Sequence, residues 1–313
     1  MSAAYWYRLH FSLRLYESDG NAFQRLISDI LHARFPGFIA VSPAGCLGDS
    51  GNDGFVPQQG WYFQVYGPQA GSNWRPAAVV RKAGQDFAKL RQHYPDLRRY
   101  SFVFNDRYLG APKDLLDALR GLQAQTGVTC DVVSGRDLTD WFMALPEGRR
   151  QDILRGIPVE PPEWVDPRAV GEVLSSLADA EARFDPARSR APDFDEKIRF
   201  NGLPAFVADR LRAMSYQCGS VEEFLSLRGQ HLAQAIAQEL RQLYAQSLEK
   251  FADDLDGQPA LRYVWLVEQL IPPQARAHPH SLKAYREAAE VVLAKYFESC
   301  DIYAQPGPGG GAA

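Results

Sequence analysis

From about Leu145 to Pro167 the chain runs LPEGRRQDILRGIPVEPPEWVDP, a stretch with five prolines and no hydrophobic periodicity. Proline fixes φ and removes a backbone donor, so neither a long helix nor a central strand persists through such a run. One core cannot be built across it. The 313 residues, 46% of them hydrophobic, suffice for two ordinary domains. The boundaries that follow are 1–150 for the first domain, 151–168 for a linker, 169–304 for the second and 305–313 for a flexible tail, QPGPGGGAA.

The two sides differ in texture. From Tyr5 to Tyr16, YWYRLHFSLRLY alternates with period two and reads as a strand. Ser18 and Asp19 offer N-cap oxygens to a helix whose apolar positions Phe23, Leu26, Ile27, Ile30 and Leu31 recur at three and four. Three short strand-like runs follow, Phe38 to Val41, Asn52 to Val56 and Trp61 to Tyr66, as a small antiparallel meander. Then helix and strand alternate: helix Ala77 to His93, strand Tyr100 to Asn105, helix Lys113 to Thr126, strand Val128 to Ser134, helix Arg136 to Ala144. Such an order builds a mixed, partly parallel sheet with helices on its faces. Beyond Val170 nearly everything is helical in pattern, apart from a β-type segment Lys197 to Leu203. In the longest helical run, Leu232, Ile236, Leu240, Leu243 and Leu248 return to one face, as a bundle helix requires.

Charge and cysteines narrow the function classes. A formal net charge of −4 leaves no chain-wide positive excess for a nucleic-acid backbone, so any DNA contact is local or supplied with a partner. The four cysteines, Cys46, Cys130, Cys218 and Cys300, form no C-x-x-C pair, which points to neither a zinc site nor a disulfide framework. The start, MSAAYWYRLHF, lacks the layout of a signal peptide, and no apolar run approaches the ~20 residues of a bilayer span. A cytoplasmic chain without membrane contact is expected. Of the histidines only His278 and His280 lie close together, in a proline-containing loop, and no nucleotide-binding P-loop or GxGxxG pattern occurs.

The densest chemical signal is GCLGDSGNDGF, Gly45 to Phe55, followed by WYFQVYGP, Trp61 to Pro68. Asp53 stands at the entry to one strand and Gln64 midway along the next. On an antiparallel hairpin these face each other across about five ångström. A carboxylate, an amide oxygen and the backbone carbonyl of Val65 would satisfy an ion that prefers oxygen and keeps its waters. The plainer readings are a turn residue for Asp53 and more so for Asp49, a buried hydrogen-bonded amide for Gln64, and a solvated helix side chain for Lys82.

The helix with FQ, the DG hairpin, the Q-x-Y strand, the helix and the following β-α-β resemble, over about Asp19 to Trp141, the PD-(D/E)XK restriction-endonuclease-like fold. GD-x-x-x-DGF followed by YFQVYGP resembles the nuclease-like modules in effectors of bacterial ABC-three-component defence systems. FDEKIRFNGLPAFVADRL, Phe194 to Leu211, is similar to the opening of the C-terminal domain of such effectors. The resemblance implies an α/β restriction-endonuclease-like first domain, a mixed sheet flanked by helices, and an all-α second domain that binds partners. It implies an Mg²⁺- or Mn²⁺-dependent nuclease that cuts DNA, with an ABC-type ATPase related to DNA-repair and chromosome-maintenance proteins and a small accessory component as partners. Asp53 takes the place of the metal-binding aspartate and Gln64 that of the second ligand. Tyr66 stands where a lysine is expected, and a tyrosine near its ordinary pKa carries no positive charge at pH 7. Lys82 on the following helix is the nearest substitute; Arg81 beside it points about 100° away. Gln24 and Asp29 are possible outer ligands. The alternative is a catalytically inactive nuclease-like scaffold that binds protein or nucleic acid.

Overall fold

The computed structural model describes residues 3–41, 52–69, 75–178, 193–228, 230–251, 257–299 and 301–305. The chain forms two compact units, one of Phe11–Ile153 and the other of Met1–His10 with Leu154–Ala313.

In the first unit α2 (Gly20–Arg34) buries Phe23, Leu26, Ile27, Ile30 and Leu31, the face expected from their spacing. Asp19, at its N-cap, makes no side-chain capping bond, and the Ser18 hydroxyl turns back to Arg14 O at 2.6 Å instead. Strands β1 (Ile39–Ala40), β2 (Gly54–Val56) and β3 (Trp61–Tyr66) form the antiparallel meander. Helix α3 (Pro76–His93) crosses to β4 (Arg99–Phe104), and α4 (Lys113–Thr126) to β5 (Thr129–Val133); both crossovers give parallel pairs. The result is a five-stranded mixed sheet in sequential order. Helices α5 (Gly135–Met143) and α6 (Glu147–Leu154) follow.

Alternation along β3 sorts its side chains between two cores. Trp61 and Phe63 join Phe35 on one face. Tyr62 and Tyr66 join Val79, Ala83, Phe87, Tyr100 and Phe102 on the other, under α3 and α4. Gly54 is the one residue its place admits, because a Cβ there would lie 2.3 Å from the Phe38 ring.

Two segments expected as strands are helices. YWYRLHFSLRLY lies within α1 (Ala3–Glu17). Its early residues pack with one set of partners, Trp6 against Phe206 and Tyr263, and its later ones with another, Phe11 stacked on Phe142 at 4.2 Å. A helix buried on several sides loses the single apolar stripe, and the period of two is a by-product. Lys197 to Leu203 begins inside α8 (Phe194–Phe200), whose start is fixed by Asp193 Oδ1 accepting from the backbone N–H groups of Asp195 and Glu196.

The second unit, among the described residues, is helical. It adds α7 (Pro167–Ala178), α9 (Ala205–Ser215), α10 (Gly219–Ser226), α11 (Gln230–Lys250), α12 (Gln258–Leu270) and α13 (Leu282–Glu298). The helical run that carries Leu232 to Leu248 is α11, and α10 precedes it as a separate helix. Within α11, Ile236 and Leu240 are buried but Leu248 is exposed, so the apolar face is shorter than its leucines suggest. Helix α13 is buried nearly throughout and packs against α7, α9 and α12.

This second core also encloses charge. Arg286 donates to Glu268 at 2.6 Å and to Gly156 O, and Arg210 pairs with Glu290. His10 sits edge-on to Trp6, with its Nε2 buried and unpartnered. Burial, and then the positive charges of Arg286 and Arg210, hold its pKa well below the ordinary value of 6.5. Glu268, 3.9 Å from Nδ1, is already committed to Arg286. The unfolded chain takes up a proton near pH 6.5 that the folded chain refuses. The stability His10 contributes is whole above that pH and is lost as pH falls toward the depressed folded value. Urea unfolding between pH 7 and 5 is expected to show a loss of up to ~1.4 kcal/mol per pH unit that is absent from His10→Gln. Equal slopes in the two chains would contradict this account.

Candidate functional site

Asp53 lies just beyond the last pair of the β2–β3 ladder, Gly54 with Phe63. Its Oδ2 accepts the Val65 backbone N–H at 2.7 Å, and its Oδ1 accepts from Gln24 Nε2 at 3.0 Å. Its own backbone N–H donates to Phe63 O, and its carbonyl accepts from Val41. The carboxylate is thus fixed by a strand and by α2. The neighbouring Asn52, fully buried, forms the turn by accepting the Gly54 N–H at 3.0 Å.

Gln64 is 2% exposed, pairs with Phe102 of β4, and shares the face of β3 that carries Tyr62 and Tyr66. Its Oε1 is buried without a hydrogen-bond partner. Leaving a buried carbonyl oxygen unsatisfied costs about 1–3 kcal/mol, so this amide is not explained as a hydrogen-bonded core residue.

Lys82 extends from α3 to lie 5.9 Å from the centre of the Tyr66 ring. The ammonium therefore stands beside the position where the resemblance asks for a lysine. It donates to Asp86 Oδ2 at 2.8 Å, and Lys89 approaches the same carboxylate at 3.8 Å. Asp86, 4% exposed, was not singled out from the sequence; its only signal was its place four residues after Lys82 on the same helix face. Tyr100, which donates to Ala83 O, has its pKa raised well above 10 by burial and then by Asp86, Cys130 and Asp53.

The other candidates separate. Gln24 contacts Asp53 directly, whereas Asp29 and Arg81 are exposed. Val65 contributes its N–H to Asp53. Asp49 lies outside the described residues. Among the described residues no group of three or more His, Cys, Asp and Glu could hold a metal ion. By donor type alone, the carboxylate of Asp53 and the amide oxygen of Gln64 are ligands that Mg²⁺ takes, since it binds through one or two carboxylates and retains several waters. The orphaned Gln64 oxygen is the feature that such an ion would complete.

Comparison with known families bears on the other unit. Residues 168–304 match C-terminal domain 10 (CTD10) of the ABC-three component (ABC-3C) systems. The match identifies residues 168–304 as a C-terminal domain of the ABC-3C type. The CTD10 region covers α7 to α13, and the sheet-bearing unit lies outside it. No curated protein and no solved structure matches the chain. Among the described residues, no helix is long and apolar enough to cross a membrane.

Proposed function

We propose that the sheet-bearing unit is a restriction-endonuclease-like, Mg²⁺- or Mn²⁺-dependent nuclease that cleaves DNA phosphodiesters as the effector of a cytoplasmic antiphage ABC-3C system. Its CTD10 region connects it to an ABC-type ATPase and a small accessory component. The observation that carries this reading is the unpartnered Oε1 of Gln64, buried on the strand that donates to Asp53 and on the face beside Lys82.

Asp53, Gln64 and the Val65 carbonyl would hold the ion, which when bound neutralises charge on the phosphodiester and activates water. Asp53 is presented by the Val65 N–H and Gln24, so its charge is oriented before substrate arrives. Lys82 supplies the cation that Tyr66 cannot, and Asp86 holds its ammonium at the face of the Tyr66 ring. A phosphate oxygen would compete with Asp86 for that ammonium. The net charge of −4 suits an effector that is quiet until its partners bring it to DNA.

Gln64→Leu tests this. The change keeps side-chain volume and removes the unsatisfied oxygen, so the unfolding free energy is expected to rise by about 1 kcal/mol. Plasmid cleavage with Mg²⁺ or Mn²⁺ in the presence of the partner components is expected to disappear. A more stable variant that still cuts would remove Gln64 from the mechanism. The scaffold reading draws on the Lys82–Asp86 pair, which at 2.8 Å neutralises the only cation placed at Tyr66 by the described residues. It expects the same gain in stability and no cleavage by the unaltered chain.

A further inference from the structure

The helical unit has a cleft of about 240 Å³ between the start of α1, the segment 159–161 and α9. Its walls are aromatic: the rings of Tyr5 and Phe206 lie 4.2 Å apart, and Trp6 stands edge-on to Phe206 at 5.9 Å. Arg210 also lines it, 5.4 Å from the Trp6 ring, but its charge is answered by Glu290. Glu160 and Asp209 are exposed at the edge.

The surface continues past the cleft. Gln217 Nε2 donates to Glu163 O at 2.9 Å, which pins the proline-rich segment beside the end of α9. There Trp164 is 67% and Tyr216 89% exposed. Arg212 takes up Asp209 at 2.8 Å and also Asp195. Among the described residues no hydrogen bond or ion pair engages the carboxylates of Glu160 and Glu163. Exposed aromatic faces next to two carboxylates that the described residues leave unneutralised select a cation. Guanidinium stacks on aromatic rings and is weakly hydrated, so arginine suits the walls better than lysine does. The same carboxylates repel a phosphodiester chain or an anionic lipid surface.

We propose that this cleft docks an arginine-bearing extended peptide segment of another ABC-3C component. The guanidinium would lie against Tyr5 and Phe206 with Glu160 at its edge, and the flanking residues would run over Trp164 and Tyr216 past Glu163. The assignment is independent of whether the other unit cuts DNA.

The test uses the full chain and a fluorescein-labelled peptide of alternating glycine and arginine, read by anisotropy. The arginine peptide is expected to bind, to weaken with salt, and to exceed its lysine counterpart. The Glu160→Gln, Glu163→Gln double variant is expected to lose about tenfold in affinity, ~1.4 kcal/mol. Tyr5→Ala is expected to lose as much, while Tyr5→Phe retains binding. These side chains are exposed, and an unchanged unfolding midpoint confirms that each variant folds. Affinity untouched by these changes would overturn the proposal. So would a glutamate peptide or oligothymidylate binding through the same residues, or a self-dimer that these changes dissociate while the arginine peptide leaves it intact. No cleavage is measured, so failure here and failure of the nuclease reading are told apart.

Discussion

Asp53→Asn is expected to leave the fold in place and to slow metal-dependent DNA cleavage about a thousandfold or more, some 4 kcal/mol in the barrier. The expectation rests on how the carboxylate is held. Its two oxygens accept from Val65 N–H and Gln24 Nε2. An asparagine oxygen can still accept from Val65, and the Gln24 amide can turn to present its own oxygen to the new NH₂ group. Both structural bonds survive while the negative charge is lost. The unfolding midpoint is therefore expected to move little, whereas Asp53→Ala strips the buried Val65 N–H of its acceptor and is expected to cost about 1–3 kcal/mol. Cleavage assays on plasmid with the partner components, paired with urea unfolding of both variants, separate charge from architecture. Cleavage that persists in Asp53→Asn, free of contaminating nuclease, would take the carboxylate out of the reaction.

Much of the sheet-bearing unit could be read from the sequence because its signals are local. The segments from α3 to α5 were located to within about one residue, since each end carries its own chemistry. Gly127 closes α4 at φ 75, a conformation glycine adopts without penalty. Ser134 and Asp137 form a reciprocal capping box at the start of α5. The meander followed from the same kind of cue, with Gly54 required by the close approach of Phe38. Nothing comparable marks α1. Its early residues serve one core and its later ones another, so the pattern along it answers to two sets of neighbours at once.

The site shows the same division. The sequence placed Asp53 at the entry to one strand and Gln64 within the next, because hairpin register is a local property, and the ladder ends at Gly54 with Phe63, just short of Asp53. The bond from Gln24 to Asp53, between residues 29 positions apart, depends on where α2 packs, which periodicity does not encode. Lys82 was named as a replacement cation, and its reach to Tyr66 is a tertiary fact. Asp86 has no signal in the sequence beyond standing four residues after Lys82, a spacing that on a helix reads as surface pairing. Its burial changes that reading, since an acid at 4% exposure holds two lysines of α3 at once.

The helical unit offers a destabilising change of larger size. Arg210 and Glu290 are both nearly sealed from solvent, joined by Arg210 Nε and Nη2 to the carboxylate at 2.7–3.0 Å, with Tyr263 OH at 3.4 Å. Taking two charges out of water is costly, and their attraction returns that cost only while both are present. Glu290→Ala leaves a guanidinium in the interior facing Trp6 and Tyr263, and is expected to cost about 3–5 kcal/mol. Arg210→Met alone leaves the carboxylate uncompensated and is expected to cost a similar amount. The double change Arg210→Met, Glu290→Leu replaces the pair by apolar side chains and is expected to recover most of the loss, for a coupling of ~3 kcal/mol or more between the two sites. Urea unfolding of the four chains in the cycle measures it. Additive losses in the double variant would show that these residues act through packing alone. The pair would then be no obstacle to rebuilding the wall of the neighbouring aromatic cleft.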